Sequence, residues 1–158
     1  MSEKIADILL VEDSPEDAEL IMTTLKKHHA EVEIEHVMDG AAALDFLFST
    51  GPYANREMPN TPRLIILDLH LPKVGGTEVL RVIKSYARTS AIPVVMLTTS
   101  PEERTILQSY QLGANSFVQK PASLEEFRQA IQGIGYYWLS INKRSSYESL
   151  PQGDPPAN

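Results

Sequence analysis

Five short apolar runs alternate along the chain with stretches whose apolar residues recur at helical spacing. The first covers residues 5–11 (IADILLV), carries one charge and ends at Glu12-Asp13. The second, 32–37 (VEIEHV), alternates. The third, 64–67 (LIIL), ends at Asp68, and the fourth, 93–97 (PVVML), ends at Thr98-Thr99. The fifth, 116–119 (SFVQ), ends at Lys120-Pro121. Continuous apolarity in the third and fourth runs predicts parallel strands buried on both faces. Alternation in the second predicts an edge strand with one wet face.

The intervening stretches predict helices. Residues 15–29 open with Ser14 as N-cap and Pro15 at the first helical position, and Ala18, Leu20, Ile21 and Leu25 form an apolar stripe. Residues 40–48 and 76–86 carry similar stripes. Ser100-Pro101 followed by Glu102-Glu103 predicts a helix start with acids in its first turn, ending at Gly113. Ser123 with Glu126 three residues on predicts a capping box for a last helix reaching about Leu139. Strands alternating with helices predict an α/β, doubly wound, five-stranded parallel sheet.

Two segments break the rhythm. Residues 49–62 (STGPYANREMPNTP) are rich in proline, glycine and asparagine and predict a long exposed loop. The stretch 142–158 is polar and proline-rich, which predicts a flexible tail behind a single domain over 1–141. At 158 residues the chain is long enough for a full core but leaves no room for a second domain beyond Lys120. A formal charge of −7 with no basic run argues against a nucleic-acid surface. The lack of cysteine removes thiol chemistry and suits a cytoplasmic setting. No signal-peptide core and no membrane-length apolar stretch is found, so no membrane partner is expected.

Candidate chemistry lies at the carboxyl ends of the predicted strands, where ligands bind in open α/β sheets. Glu12 and Asp13, Asp68, Thr98 and Lys120 would converge there. Clustered carboxylates call for a hard divalent cation. A lysine and a threonine hydroxyl can take phosphoryl oxygens, and an aspartate can itself be the nucleophile. Taken singly, each residue has an ordinary explanation: Asp68 as a turn former, Glu12-Asp13 as acids serving a helix start, Thr98 as a β-branched strand residue, Lys120 as a solvated lysine. Their arrival at one end of one sheet is what points to phosphoryl transfer.

Glu12-Asp13, Asp68 with Leu71-Pro72 and Gly76, Thr98 in LTTS, and Lys120-Pro121 resemble the signature of two-component response-regulator receiver domains, the CheY-like family. The spacings fit, with thirty residues from Asp68 to Thr98 and twenty-two from Thr98 to Lys120. The resemblance implies a flavodoxin-like (βα)5 fold and Asp68 as phosphoacceptor, with Thr98 and Lys120 binding the phosphoryl group. It implies Mg2+ or Mn2+ held by Glu12, Asp13, Asp68 and the backbone carbonyl of His70, and a sensor histidine kinase as donor. Phe117 stands at the family's switch-aromatic position, although a permanently packed ring accounts for it too. The loop 49–62, the phrase LTTSPEERTILQSYQLGANSFVQKP and the ending YYWLSIN look like the small single-domain regulators paired with phytochromes.

Departures are few. Gly75 replaces a common acid, and His70 stands where Asn or Asp is usual. Together with Ser100, His70 is placed to alter water access to an acyl phosphate. His28, His29 and His36 do not group into a metal site. Ile131, Ile134, Tyr137 and Trp138 make a stripe that suits core packing, but consecutive Tyr136, Tyr137 and Trp138 must leave some ring outside, which predicts a homodimer interface. Two other readings compete. A haloacid-dehalogenase-type phosphatase would want an aspartate where His70 stands, and a degenerate receiver would lack part of the acid, threonine and lysine set. No phosphate-binding glycine loop is present.

Overall fold

Five strands form one all-parallel sheet: β1 (Ile8–Val11), β2 (Ile34–Val37), β3 (Leu64–Asp68), β4 (Val94–Thr98) and β5 (Ser116–Gln119), in the order β2-β1-β3-β4-β5. The computed structural model describes residues 6–55, 61–99 and 102–143. The helices are α1 (Pro15–His28), α2 (Gly40–Phe48), α3 (Gly76–Ser85), α4 (Glu103–Gln111) and α5 (Leu124–Gly135).

The pleat divides the strand residues between two apolar cores. Ile8, Leu10, Leu64, Ile66, Val95 and Leu97 pack under α1 and α5, against Ile21, Leu25, Phe127, Ile131 and Ile134. Leu9, Val11, Ile65, Leu67, Val94 and Met96 face the other way, against Phe46 and Leu47 of α2 and Val79, Leu80 and Ile83 of α3. This two-sided burial is why β3 and β4 read as unbroken apolar runs. β2 takes the edge its alternation predicted, with only Val37 fully buried.

Local chemistry sets the helix ends. Ser14 Oγ accepts the Asp17 amide at 3.3 Å, and Lys26, Lys27 and His28 close α1 with positive charge. Asp39 caps α2 through the Ala42 amide at 2.7 Å. Of the expected capping box on α5, the Ser123 half forms, with Oγ accepting the Glu126 amide.

Two helix expectations need correction. The stretch after β4 becomes helical only at Glu103, without a side-chain cap, while Ser100 and Pro101 lie outside the described residues. The C-terminal end of α4 lies where expected, with Gln111 its last helical residue and Leu112 its C-cap. Gly113, at φ 105°, ends it by a Schellman turn, with Ala114 N–H donating to Ser109 and Gly113 N–H to Tyr110. α5 does not run regularly to Leu139. Past Gly135 it widens into a π turn over Tyr136–Ile141, closed by the Asn142 amide on the Tyr137 carbonyl. Gly135 sits where a Cβ would lie 2.8 Å from a Leu25 methyl, so a larger residue here would make the Leu25 side chain shift.

The described part of the predicted loop contains a 3-10 turn, Gly51–Tyr53, whose Tyr53 ring packs edge-on against Phe46, and 56–60 lie outside the described residues. The predicted tail falls outside them from residue 144. Among the described residues, no helix is long and apolar enough to cross a membrane.

Candidate functional site

Parallel register brings the expected residues together. Val11 pairs with Leu67 and Asp68 with Leu97, so Glu12, Asp68 and Thr98 leave three adjacent strands at the same end. The Lys120 amide donates to the Thr98 carbonyl at 2.7 Å, which continues β5 alongside β4. Glu12, Asp68, Thr98 and Lys120 are all buried, an unusual state for three charged groups that calls for mutual pairing.

Carboxylate oxygens of Glu12, Asp13 and Asp68 lie within 4.8 Å of one another. Asp13 is exposed and forms the mouth, whereas Glu12 and Asp68 form the floor. Such a donor set of clustered hard oxygens fits a divalent cation. The His70 amide donates to Asp68 Oδ1 at 3.0 Å, so the backbone of this exposed residue runs beside the carboxylate.

Opposite the acids, Lys120 reaches in with its side chain 5% exposed. Its Nζ donates to Glu12 Oε1, to Asp17 Oδ2 at 3.0 Å and to Asp68 Oδ2 at 3.2 Å. Burial pushes the Glu12 carboxyl up to about 8, the hydrogen bond it shares with Asp68 adds to this, and Lys120 pulls the other way. For Lys120 burial works to lower the pKa, but the bonds to Glu12 and Asp17 outweigh it and hold the ammonium above its ordinary value. Lys120 therefore stays charged, and burial favours the protonated form of the Glu12 carboxyl at neutral pH.

The loop after β3 is built for close approach. A Cβ on Gly76 would stand 2.3 Å from the Asp68 carbonyl oxygen, so α3 starts against the end of β3 only because residue 76 is glycine. Gly40 gives the Val74 carbonyl the same access. Lys73 adopts φ 66° in this loop and pairs with Asp39 at 3.3 Å.

Phe117 is half-buried and packs on the α2–α3 side of the sheet. It pairs with Met96, two residues before Thr98, so Phe117 and Thr98 share a sheet face one pleat apart. The aromatic ending divides. Tyr136 and Tyr137 are 61% and 47% exposed, but Trp138 packs partly into the α1–α5 core and edge-on against Tyr137. The rings that the cluster leaves outside are thus Tyr136 and Tyr137.

Two contacts were not foreseen. Asp17 joins Lys120, although by position it looks like any acid in a helix's first turn. His36 Nε2 lies 2.8 Å from the Glu12 carbonyl and donates to it, tying edge strand β2 to the site. The His36–Glu12 contact could have been sought from the β1–β2 pairing, but Asp17 carried no distinguishing signal.

The response regulator receiver domain family matches residues 8–132. The chain is 43% identical over 132 residues to the response regulator Rcp1 of Synechocystis sp., spanning 84% of this chain and 88% of that protein. Its fold is similar to that of the phosphorylated cyanobacterial phytochrome response regulator RcpA, with a TM-score of 0.81 and 41% identity, covering 89% of this chain and 98% of that one. The Mn(2+)-bound form of Rcp1 gives a TM-score of 0.82 at 41% identity, with 88% and 98% covered.

Proposed function

The chain belongs to the response regulator receiver domain family, and on that premise we propose that it accepts a phosphoryl group on Asp68 from a phytochrome-type sensor histidine kinase and signals through a changed surface. One observation carries this reading: Lys120 is buried and bonded to Asp68, beside three acids spaced for a divalent cation.

Glu12, Asp13, Asp68 and the His70 carbonyl would hold Mg2+, which supplies positive charge to the phosphoryl oxygens when bound. An Asp68 Oδ attacks phosphorus, the bond from phosphorus to the donor's leaving group breaks, and its electron pair departs with that group. Lys120 holds one phosphoryl oxygen, and the Thr98 hydroxyl donates to another. Asp68 is consumed and restored in this cycle, so the protein is a phosphoacceptor and not an enzyme with a separate substrate. As Thr98 moves, the Phe117 ring turns inward, carrying the change along the shared face to the α4–β5 surface. An unchanged Phe117 rotamer in the presence of a phosphate mimic contradicts that step.

The same reading assigns the receiver unit to 1–141 and sets 142–158 apart from it, of which 144–158 lie outside the described residues. It assigns the protein to the cytoplasm, without nucleic-acid or membrane partners. Exposed Tyr136 and Tyr137, with Ile141 at 54%, support a homodimer through the C-terminal segment that includes Trp138. Sedimentation of a monomer at every concentration, with phosphate mimic present, contradicts the dimer.

Incubation with acetyl phosphate and Mg2+, followed by intact mass measurement, tests the reaction. The parent should gain one phosphoryl group, and Asp68→Asn and chelator-treated parent should gain none. Catalytic turnover of phosphate esters would instead mark a phosphatase.

A further inference from the structure

Asp17 is the contact at the site that the family signature does not explain. It lies 103 residues from Lys120 in sequence, yet its Oδ2 accepts from the buried ammonium at 3.0 Å, a shorter contact than that to Asp68. We propose that Asp17 is a positioning residue of this site: it holds the Lys120 ammonium while the other two acceptors are taken up by cation and phosphoryl group. This inference rests on the proposed phosphoacceptor role of Asp68.

A lysine ammonium has three N–H donors, and here each has a carboxylate: Glu12, Asp17 and Asp68. Glu12 and Asp68 belong to the cluster of acids spaced for a cation, which among the described residues comprises Glu12, Asp13 and Asp68. Asp17 lies outside that cluster. When a cation occupies the cluster and Asp68 carries a phosphoryl group, Asp17 is the one present acceptor that Lys120 can keep. Lysine's four-carbon stem is flexible, and the ammonium acts as a point charge whose value depends on its position. An anchor that persists through the reaction keeps it aimed.

Asp17 is itself well held. Its amide is bound by Ser14 Oγ at 3.3 Å, Pro15 sets the first turn, and Ala18, Ile21 and Leu25 seat α1 in the core. Its carboxylate is 33% exposed, so it reaches the ammonium from the pocket's rim. A helix-dipole role alone would be served by the neighbouring, exposed Glu16 and would not need a contact to Lys120. Asp17 also adds negative charge near an anionic donor. That repulsion acts on donor KM, whereas positioning acts on the maximal rate.

The test compares the parent with Asp17→Ala and Asp17→Asn, after melting curves establish that both variants are folded. With saturating Mg2+, Asp17→Ala should lower the maximal rate of phosphorylation by acetyl phosphate about tenfold. Asp17→Asn, which keeps an oxygen acceptor, should regain part of it. Mg2+ affinity should stay unchanged, whereas support of a metal ligand would cost about 10–100-fold. Independently of any donor, the 15N signal of the Lys120 ammonium with Mg2+ should be protected in the parent and lost in Asp17→Ala. Unchanged maximal rates in both variants, or an ammonium signal that survives in Asp17→Ala, overturns the inference. A parent that takes up no phosphoryl group refutes the proposed function, and the ammonium signal then decides the role of Asp17 alone.

Discussion

Replacing Asp13 by asparagine should make the metal-free protein more stable and the metal-loaded protein less so. In the parent, the Asp13 carboxylate lies within 4.8 Å of the oxygens of Glu12 and Asp68. Glu12 carries a proton at neutral pH, so the main repulsion is between Asp13 and Asp68. Two charges at that spacing repel by about 0.9 kcal/mol in water and about 3.5 kcal/mol at an effective dielectric of 20. Asp13 is exposed and Lys120 offsets part of the field, so the lower figure applies, about 1 kcal/mol. For a domain of this size that corresponds to a rise in Tm of roughly 2–4 °C. Saturating Mg2+ reverses the order. At a hundredfold excess over Kd it stabilises the parent by about 2.7 kcal/mol, and a variant that has lost one ligand gains much less. The assay is a pair of thermal melts, with chelator and with Mg2+, at matched ionic strength because salt screens the repulsion. A variant that gains as much from Mg2+ as the parent, or melts lower in chelator, refutes the placement of Asp13 in the cation cluster.

Mg2+ affinity should rise with pH up to about 8, because the cation must displace the proton that burial keeps on Glu12. Calorimetry in buffers of different ionisation enthalpy should detect the released proton, and a pH-independent affinity contradicts it. The folded metal-free state binds this proton between the ordinary 4.5 and about 8 and the unfolded state does not, so metal-free stability should fall as pH rises across that window. Lys84→Met should cost about 1–3 kcal/mol in denaturant titration, since Lys84 Nζ donates to the Ser90 and Ile92 carbonyls and to Asn115 Oδ1. Phosphorylation should survive that change, and a lost phosphoryl uptake in folded Lys84→Met would contradict its remoteness from the site. Gly40→Ala should destabilise by about 3 kcal/mol, because its Cβ would fall 1.9 Å from the Val74 carbonyl oxygen. A neutral result would show that the loop after β3 yields without cost.

Much of this site was legible because strand ends are legible. LIIL and PVVML are buried on both faces, so their ends mark where Asp68 and Thr98 emerge, and parallel register then brings Glu12 and Lys120 alongside. The edge position of β2 followed from its alternation for the same reason. What was not legible depends on tertiary contact. The π turn over Tyr136–Ile141 begins just past Gly135, where α5 rests on Leu25 of α1, and no local pattern encodes it. Trp138 turned inward with it. α4 begins later than its acids suggested, and it buries only Ser109, so little packing constrains its first turn. Asp17 and Glu16 are alike as sequence, and only the reach of Lys120 across the pocket distinguishes them.

The central claim is that Asp68, among the clustered acids, is the atom-level acceptor. Borohydride reduction of protein treated with acetyl phosphate and Mg2+, followed by peptide mass spectrometry, tests it most directly, because reduction converts an aspartyl phosphate to homoserine at the residue that carried it. The predicted result is homoserine at position 68 alone, absent when chelator replaces Mg2+. Reduction product at Glu12, Asp13 or Asp17, or none at any acid of a protein that has gained a phosphoryl group, contradicts the account.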